Sequence, residues 1–255
     1  MRSRIGLLRR LKNSSVNEFV ISLKCKFMKN ICVIPARGGS KRIPRKNIKP
    51  FMGKPIMAYS IEAALKSKIF DVVMVSTDNN EFADVAKQYG AEVPFIRSAA
   101  NSNDYAGTDA VCLEVLDEYK KQGVEFDNLC CLYSTAPFVT AERLKEGFGL
   151  LSDEIDAAFT IVQYSYPIQR SLKVNQQAYV EMNFPEYYDT RSQDLKPIYH
   201  DAGQFYFVKT PVLRDEKTFW CKRTSPLILS ELEVQDLDTL TDWQLAEMKF
   251  KLTRG

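Results

Sequence analysis

Short apolar runs alternate with amphipathic stretches along most of the chain. Unbroken apolar runs predict buried strands, and apolar positions on successive helical turns predict helices. The predicted strands cover residues 31–34, 72–75, 93–96, 129–133, 157–162 and 203–208. The predicted helices cover residues 55–66, 81–89, 108–121 and 140–151, and a last helix begins at residue 238 or 239. This alternation predicts an α/β fold with a mostly parallel, Rossmann-like sheet and helices on both faces.

Residues that favour helix ends support these limits. Pro55 suits the first turn of a helix, and Thr108 and Thr140 suit the capping position before one. Gly90 and Gly123 suit the residue that follows a helix.

Residues 164–200 interrupt the alternation with prolines and tyrosines that follow no period. The simplest interpretation of this segment is a long ordered loop. An aromatic-rich insert on a globular domain is also typical of an interface, which favours a small dimerisation lobe and a homodimer.

The loop after the first strand, residues 36–47, contains two glycines, a serine and five cationic side chains. Most basic loops are only solvated surface. A strand that leads into glycines and then lysine and arginine favours a polyphosphate site, because glycine lets the backbone approach an anion that the cations neutralise. The sequence contains neither a P-loop motif nor a dinucleotide fingerprint after this strand.

The carboxyl ends of parallel strands meet at one edge of a sheet, where α/β proteins bind ligands. The loops that begin at Arg37, Ser76 and Ser134 should therefore line one crevice. Asp236 and Asp238 are two residues apart, which places both carboxylates on one side of an extended segment. Such a pair can hold Mg²⁺ together with substrate phosphates, or can simply cap the last helix.

The composition is 45% hydrophobic and 26% charged over 255 residues, which suits one globular domain of residues 28–255. A net charge of +3, concentrated in one loop and the N-terminus, argues against a nucleic-acid partner. No apolar run approaches the length of a membrane span. Six cysteines without a C-x-x-C pair are typical of reduced core residues in a cytoplasmic protein.

Residues 1–27 are predicted to be a flexible or non-native extension, and we expect their deletion to leave fold and activity intact.

Residues 36–47 match the motif A-R-x-x-S-K-x-x-P-x-K-N in full, and residues 75–78, 97, 101–108, 135–137 and 236–238 supply further motifs in order. With these motifs the chain resembles the acylneuraminate cytidylyltransferase family from about residue 28 to its end. Residues 165–170, 190–195 and 199–204 resemble the branch of that family that acts on pseudaminic acid.

The resemblance implies a CTP-dependent nucleotidyltransferase. The anomeric hydroxyl of a nine-carbon keto-acid sugar attacks the α-phosphorus of CTP, pyrophosphate leaves, and a CMP-sugar forms for surface glycan or flagellin glycosylation. The implied catalytic residues are Arg37, Lys46, Asp236 and Asp238, the last two as magnesium ligands. The implied nucleotide-binding residues are Ala36, Arg37, Ser40, Lys41, Lys46, Asn47, Ser76, Asp78, Arg97 and Thr108. The implied sugar-binding residues are Tyr133, Thr135, Tyr166, Gln169, Arg191, Gln193 and Gln204.

Two positions depart from the sialic acid pattern, since Tyr133 replaces a sugar-contacting glutamine of the family and Val139 replaces an arginine. This departure favours pseudaminic acid over N-acetylneuraminate. Activation of another keto-acid sugar, such as legionaminate or an eight-carbon acid, and a non-catalytic nucleotide-binding module stay as alternatives. The general base is left open between Asp201, His200 and a metal-bound water.

Overall fold

The computed structural model describes residues 29–103 and 106–254, and the predicted extension at residues 1–27 lies outside them. The described strands are β1 (Asn30–Pro35), β2 (Pro50–Phe51), β3 (Lys54–Pro55), β4 (Val72–Ser76), β5 (Asn128–Leu132), β6 (Ala157–Gln163), β7 (Leu172–Val174), β8 (Val180–Met182), β9 (Tyr199–Lys209) and β10 (Thr224–Leu229). The described α-helices are α1 (Ile56–Ser67), α2 (Asn80–Gln88), α3 (Thr108–Lys121), α4 (Ala141–Gly149), α5 (Thr210–Glu216) and α6 (Leu240–Arg254).

Six strands form the central sheet in the order β10-β6-β9-β5-β1-β4. β1 pairs in parallel with both β4 and β5, and β6 pairs in parallel with β10. β9 is antiparallel to both of its neighbours, β5 and β6. The prediction of a mostly parallel sheet is confirmed, and the ends of β4, β1 and β5 lie side by side at one edge.

The two faces of β1 show how the sheet is covered. Ile31 and Val33 point into a core that contains residues of α3 and α5. Cys32 and Ile34 point to the opposite face, into a core that contains residues of α1, α2 and α4. Successive side chains of a strand point to opposite faces, so a strand buried on both sides reads as an unbroken apolar run. The predicted helices on both faces are confirmed.

A third apolar cluster fixes the C-terminal helix against the start of the fold. Phe51 packs edge-on against Trp243 of α6, with ring centroids 5.5 Å apart. Leu237 is buried in the same cluster. Because Leu237 is anchored, the Asp236 and Asp238 backbone on either side of it is fixed in position.

Several predictions about elements need correction. The strand predicted at 93–96 does not form, and only Glu92 makes a single bridge to Met74, because Pro94 has no N–H for a ladder. Thr108 is the first residue of its helix, and Gly107 occupies the capping position. β9 begins four residues before the predicted 203–208 strand. Pro55 belongs to β3 and occupies the capping position before α1 rather than the first turn of that helix. The sequence patterns also missed α5 and β10.

Residues 164–200 form an irregular segment with one hairpin, β7–β8. Val174 pairs with Val180 across this hairpin, and both side chains are exposed. Other large apolar side chains exposed on this segment include Tyr166, Leu172, Tyr179 and Tyr188. We call residues 164–200 the lobe; its role in dimerisation stays a prediction.

All described cysteines are buried and free: Cys32, Cys112, Cys130, Cys131 and Cys221. Their burial confirms the interpretation of these five as core residues. Within the described ranges, no helix is long and apolar enough to cross a membrane.

Candidate active site

A cavity of about 530 Å³ opens where β1 and β5 end. These strands are parallel neighbours, so the loops that follow them face each other across the cavity. The cavity is lined by nine residues that the sequence predicted to bind nucleotide or sugar: Arg37, Ser40, Lys41, Lys46, Asn47, Arg97, Thr108, Tyr133 and Thr135.

The charge of this cavity is one-sided. Its lining includes the cationic side chains of Arg37, Lys41, Arg42, Lys46 and Arg97, and the described residues that line it include no aspartate or glutamate. A concave surface with one sign of charge concentrates its field on ligands of the opposite sign. The cavity therefore suits a polyanion such as a triphosphate.

Asn47 fixes the shape of the basic loop. Its Nδ2 donates to the carbonyl oxygen of Arg37 over 2.8 Å, and its Oδ1 lies 2.9 Å from the hydroxyl of Ser134. The Ser134 hydroxyl also lies 2.8 Å from the carbonyl oxygen of Pro35. Asn47 and Ser134 are buried. Asn47, predicted to bind nucleotide, therefore ties the loop to the end of β5 while it lines the cavity.

Lys46 lies between the cavity and the segment that follows β10. Its Nζ donates to the carbonyl oxygen of Leu237 over 2.7 Å and lies 3.9 Å from Asp238 Oδ1. Burial lowers the pKa of Lys46, and the charges of Asp238 and Asp236 act in the opposite direction. The fold thus holds this ammonium group at a defined place beside two carboxylates.

Asp236 and Asp238 stand at the margin of the cavity rather than in its lining. Asp238 Oδ2 accepts a hydrogen bond from Arg42 over 2.6 Å, and Asp236 Oδ1 accepts one from the Leu237 N–H over 2.8 Å. No cluster of three or more histidine, cysteine, aspartate or glutamate side chains suited to a metal occurs among the described residues. Two carboxylates leave most positions around a cation for phosphate oxygens and water, which is how proteins usually bind Mg²⁺. The donor set fits a magnesium ion brought in with a nucleotide.

Ser76 and Asp78, both predicted to bind nucleotide, do not line the cavity: Ser76 is buried and Asp78 is exposed. The buried Arg97 donates from Nε to Ser76 Oγ over 3.0 Å and also bonds to the Ser76 carbonyl oxygen. Burial lowers the pKa of Arg97, while Asp78 has the opposite effect. Asp78 Oδ1 accepts from the N–H of Gly38 over 2.8 Å. Ala36, also predicted to bind nucleotide, is buried and bonds through its N–H to the Ser76 carbonyl oxygen.

Tyr133 is held at the cavity by its backbone. Its N–H donates to the Gln204 carbonyl oxygen over 2.8 Å, and its own carbonyl oxygen accepts from Ser60 Oγ over 2.7 Å. Burial raises the pKa of Tyr133. Val139, expected to face the sugar, is instead buried in the apolar core and does not line this cavity.

The other predicted sugar-binding residues do not line the cavity. Gln204 is buried, and its side-chain amide donates to the carbonyl oxygen of Glu233. Gln169 is buried in the lobe and donates to the carbonyl oxygen of Lys196 over 2.9 Å, although its own Oε1 has no partner. Tyr166, Arg191 and Gln193 lie exposed on the lobe.

Neither side chain suggested as a general base reaches the cavity lining. Both carboxylate oxygens of Asp201 already accept hydrogen bonds, from the Gly203 N–H and from the Tyr206 hydroxyl. The ring of His200 packs against Tyr164 and borders a second, smaller cavity of about 310 Å³.

Arg42 and Ser134 contribute to the site although neither was among the residues predicted to act in catalysis or binding. Arg42 lines the cavity and pairs with Asp238, and Ser134 anchors Asn47. Arg42 lies inside the basic motif, so its charge and position were the available signal. Nothing in the sequence pattern distinguishes the anchoring role of Ser134.

Comparisons with known proteins agree with this geometry. A family model described as cytidylyltransferase matches residues 31–238. The chain is 42% identical over 226 residues to the pseudaminic acid cytidylyltransferase of Campylobacter jejuni, which covers 88% of this chain and 97% of that protein. It is 32% identical over 234 residues to the CMP-N,N'-diacetyllegionaminic acid synthase of Legionella pneumophila, which covers 89% and 98%.

A solved structure of CMP:2-keto-3-deoxy-manno-octonic acid synthetase with CTP superposes with a TM-score of 0.64 at 18% identity, covering 88% of this chain and 99% of that one. At that identity the likeness shows the shared fold alone. The fold and the basic cavity define an α/β protein with a polyanion-binding site at the carboxyl edge of its sheet. The family match and the identity to its relatives show that the chain belongs to the cytidylyltransferase family.

Proposed function

We propose that this enzyme transfers CMP from CTP to pseudaminic acid and releases pyrophosphate. The observation that carries the proposal is the cavity with five cations at the carboxyl edge of the sheet, in a chain 42% identical to a pseudaminic acid cytidylyltransferase. Negative charge builds up on the leaving pyrophosphate during such a transfer. Fixed cations stabilise that charge without having to reorganise, which makes electrostatic positioning the main source of the rate.

The residues take separate parts in this reaction. Arg37, Lys41 and Lys46 bind the triphosphate oxygens, because their side chains border the cavity from one loop. Arg97 lies on the nucleotide side, oriented by Ser76. Tyr133 and Thr135 also line the cavity, and we assign them to the sugar.

Asp236 and Asp238 would hold a magnesium ion together with the phosphates. When bound there, the ion would neutralise phosphate charge and make the attacking hydroxyl easier to deprotonate. The side chain of Arg42 that pairs with Asp238 is exposed, so it would be free to turn toward the triphosphate and leave the Asp238 carboxylate to the metal.

We also propose that the enzyme works as a homodimer assembled through the lobe. The hairpin β7–β8 exposes Val174 and Val180, and Tyr166 and Tyr188 are exposed nearby in the sequence. Contiguous exposed apolar side chains are typical of protein–protein contacts. Tyr166, Arg191 and Gln193 do not line the cavity of their own chain. They could therefore bind the sugar only if the lobe of one subunit reaches the cavity of the other.

Pyrophosphate release with each of the four nucleoside triphosphates tests the nucleotide part of the proposal. With pseudaminic acid as acceptor, we expect turnover with CTP, little with ATP, and none after chelation of divalent cations. Equal rates with all four triphosphates would remove the cytidylyltransferase assignment from this site. Unchanged turnover in excess chelator would remove the role proposed for Asp236 and Asp238.

A further inference from the structure

A short polar loop precedes α3 at the rim of the cavity. We call residues 98–103 the rim loop. Arg97 and Ala106, which lie on either side of it in the sequence, both line the cavity. No residue of the rim loop is buried, so apolar packing contributes little to its position. The position of this loop therefore depends on its hydrogen bonds.

Glu114 of α3 holds the start of the rim loop. Its Oε1 accepts from the Ser98 N–H over 2.8 Å, and its Oε2 accepts from the Ser98 hydroxyl over 3.0 Å and from the Asn101 side-chain amide. Burial alone would raise the pKa of Glu114, but the hydrogen bonds from Ser98 and Asn101 keep it below its ordinary value. The carboxylate is therefore ionised at neutral pH and can only accept hydrogen bonds, and these three all come from the rim loop.

Asn103 holds the end of the rim loop and brings it to Arg37. Its Nδ2 donates to the Ala100 carbonyl oxygen over 2.7 Å, and its Oδ1 accepts from the Ala106 N–H over 3.0 Å. The Asn103 carbonyl oxygen accepts from Arg37 Nη1 over 3.1 Å. The rim loop thus links Glu114, which does not line the cavity, to a guanidinium group that does.

We propose that Glu114 is a positioning residue that holds the rim loop in place before CTP arrives and so fixes Arg37 for the triphosphate. The inference rests on the proposed function and adds to it a residue that was not predicted to act at the site. Without Glu114 the rim loop would spend part of its time in other arrangements, because none of its residues is anchored in the core. The apparent affinity for a ligand falls with the fraction of the protein that is ready to bind it. Loss of Glu114 should therefore weaken CTP binding, whereas the bound complex should react at its ordinary rate.

Steady-state kinetics of Glu114→Ala with CTP and pseudaminic acid test this proposal. We expect KM for CTP to rise by roughly tenfold, with kcat and KM for the sugar within about threefold of the wild type. Glu118→Ala is the matched control, because Glu118 lies one turn further along α3 and pairs with Lys121 over 2.6 Å. It should keep the wild-type KM for CTP. A merely structural role for Glu114 would lower kcat through loss of folded enzyme and leave KM for CTP unchanged, which would overturn the proposal.

A second pair of variants tests the contact between Glu114 and Asn101 itself. Asn101→Asp places a second carboxylate against Glu114, and the repulsion should raise KM for CTP by roughly tenfold or more. Adding Glu114→Gln supplies an amide donor to the new carboxylate and should return KM for CTP to within about threefold of the wild type. An increase that Glu114→Gln does not relieve would overturn the proposal. If Glu114→Ala does not fold, this pair carries the comparison. A wild type inactive with CTP and pseudaminic acid would instead refute the proposed function.

Discussion

Lys46 is one residue whose environment explains its proposed role. Its Nζ is held 2.7 Å from the Leu237 carbonyl oxygen and faces Asp238. The side chain is largely buried, with 21% of its surface exposed. A cation held in this way needs little reorganisation when charge develops on a nearby phosphate, which is the condition for effective electrostatic stabilisation.

Replacing Lys46 by alanine should therefore lower kcat by roughly 100-fold or more, because removal of one fixed stabilising charge costs a few kcal/mol of barrier. Lys66→Ala is the matched control. Lys66 lies exposed on α1 in an ion pair with Glu62, and its replacement should leave kcat nearly unchanged. Steady-state kinetics of both variants with saturating CTP make the comparison, and similar kcat values would exclude Lys46 from the site.

The segment between β10 and α6 carries the Asp pair and is fixed by one glutamate. Glu233 accepts two hydrogen bonds from Arg143 of α4, over 2.9 Å and 3.0 Å. The same carboxylate completes a capping box with Ser230. Two parallel bonds between a guanidinium and a carboxylate fix orientation as well as distance. The turn that leads to Asp236 is thereby attached to the core.

Glu233→Gln should lower the free energy of unfolding by about 1 kcal/mol at neutral pH, since the pair is partly exposed. The hydrogen bonds from Arg143 lower the pKa of Glu233 below its ordinary 4.5. A carboxyl whose pKa is lowered in the folded state stabilises the protein above its unfolded pKa, and this contribution is lost as pH falls through the folded pKa. The stability gap between wild type and variant should therefore be full at neutral pH and close well below pH 4.5.

Urea unfolding at neutral pH and well below pH 4.5 measures this difference in the free energy of unfolding between wild type and variant. Glu146→Gln is the control, because Glu146 also pairs with Arg143 over 2.7 Å but is half exposed. It should cost at most a few tenths of a kcal/mol. A gap for Glu233→Gln that is independent of pH would show that the charge of Glu233 does not stabilise the turn.

Elements and site residues differ in how far the sequence predicts them. The basic loop was predictable because the strand, its glycines and its cations are neighbours in sequence. The antiparallel direction of β9 was not predictable, because a strand buried on both faces has the same apolar pattern in either direction. Two hydrogen bonds were not predictable either: Arg97 donates to Ser76, and the Gly38 N–H donates to Asp78. Both depend on side-chain directions that only the assembled fold fixes.

At the scale of the whole molecule, the cavity and the exposed lobe are separate features of one chain. If the lobe assembles a homodimer, Val174→Asp should convert a dimer into a monomer, because a buried unpaired charge at an interface is costly. Leu252→Asp, an exposed apolar residue on α6, is the control and should stay dimeric. Size-exclusion chromatography with light scattering gives the masses. A wild-type monomer, or a Val174→Asp dimer, would contradict the proposed lobe contact.

The central claim is that the cavity activates pseudaminic acid with CTP. The direct measurement is kcat/KM for pseudaminic acid and for N-acetylneuraminic acid on the wild-type enzyme, followed by pyrophosphate release. Tyr133, where the sialic acid pattern has glutamine, presents a different polar group to the sugar, and mismatched buried polar groups discriminate by orders of magnitude. We expect a much higher kcat/KM for pseudaminic acid, and a preference for N-acetylneuraminic acid would contradict the account.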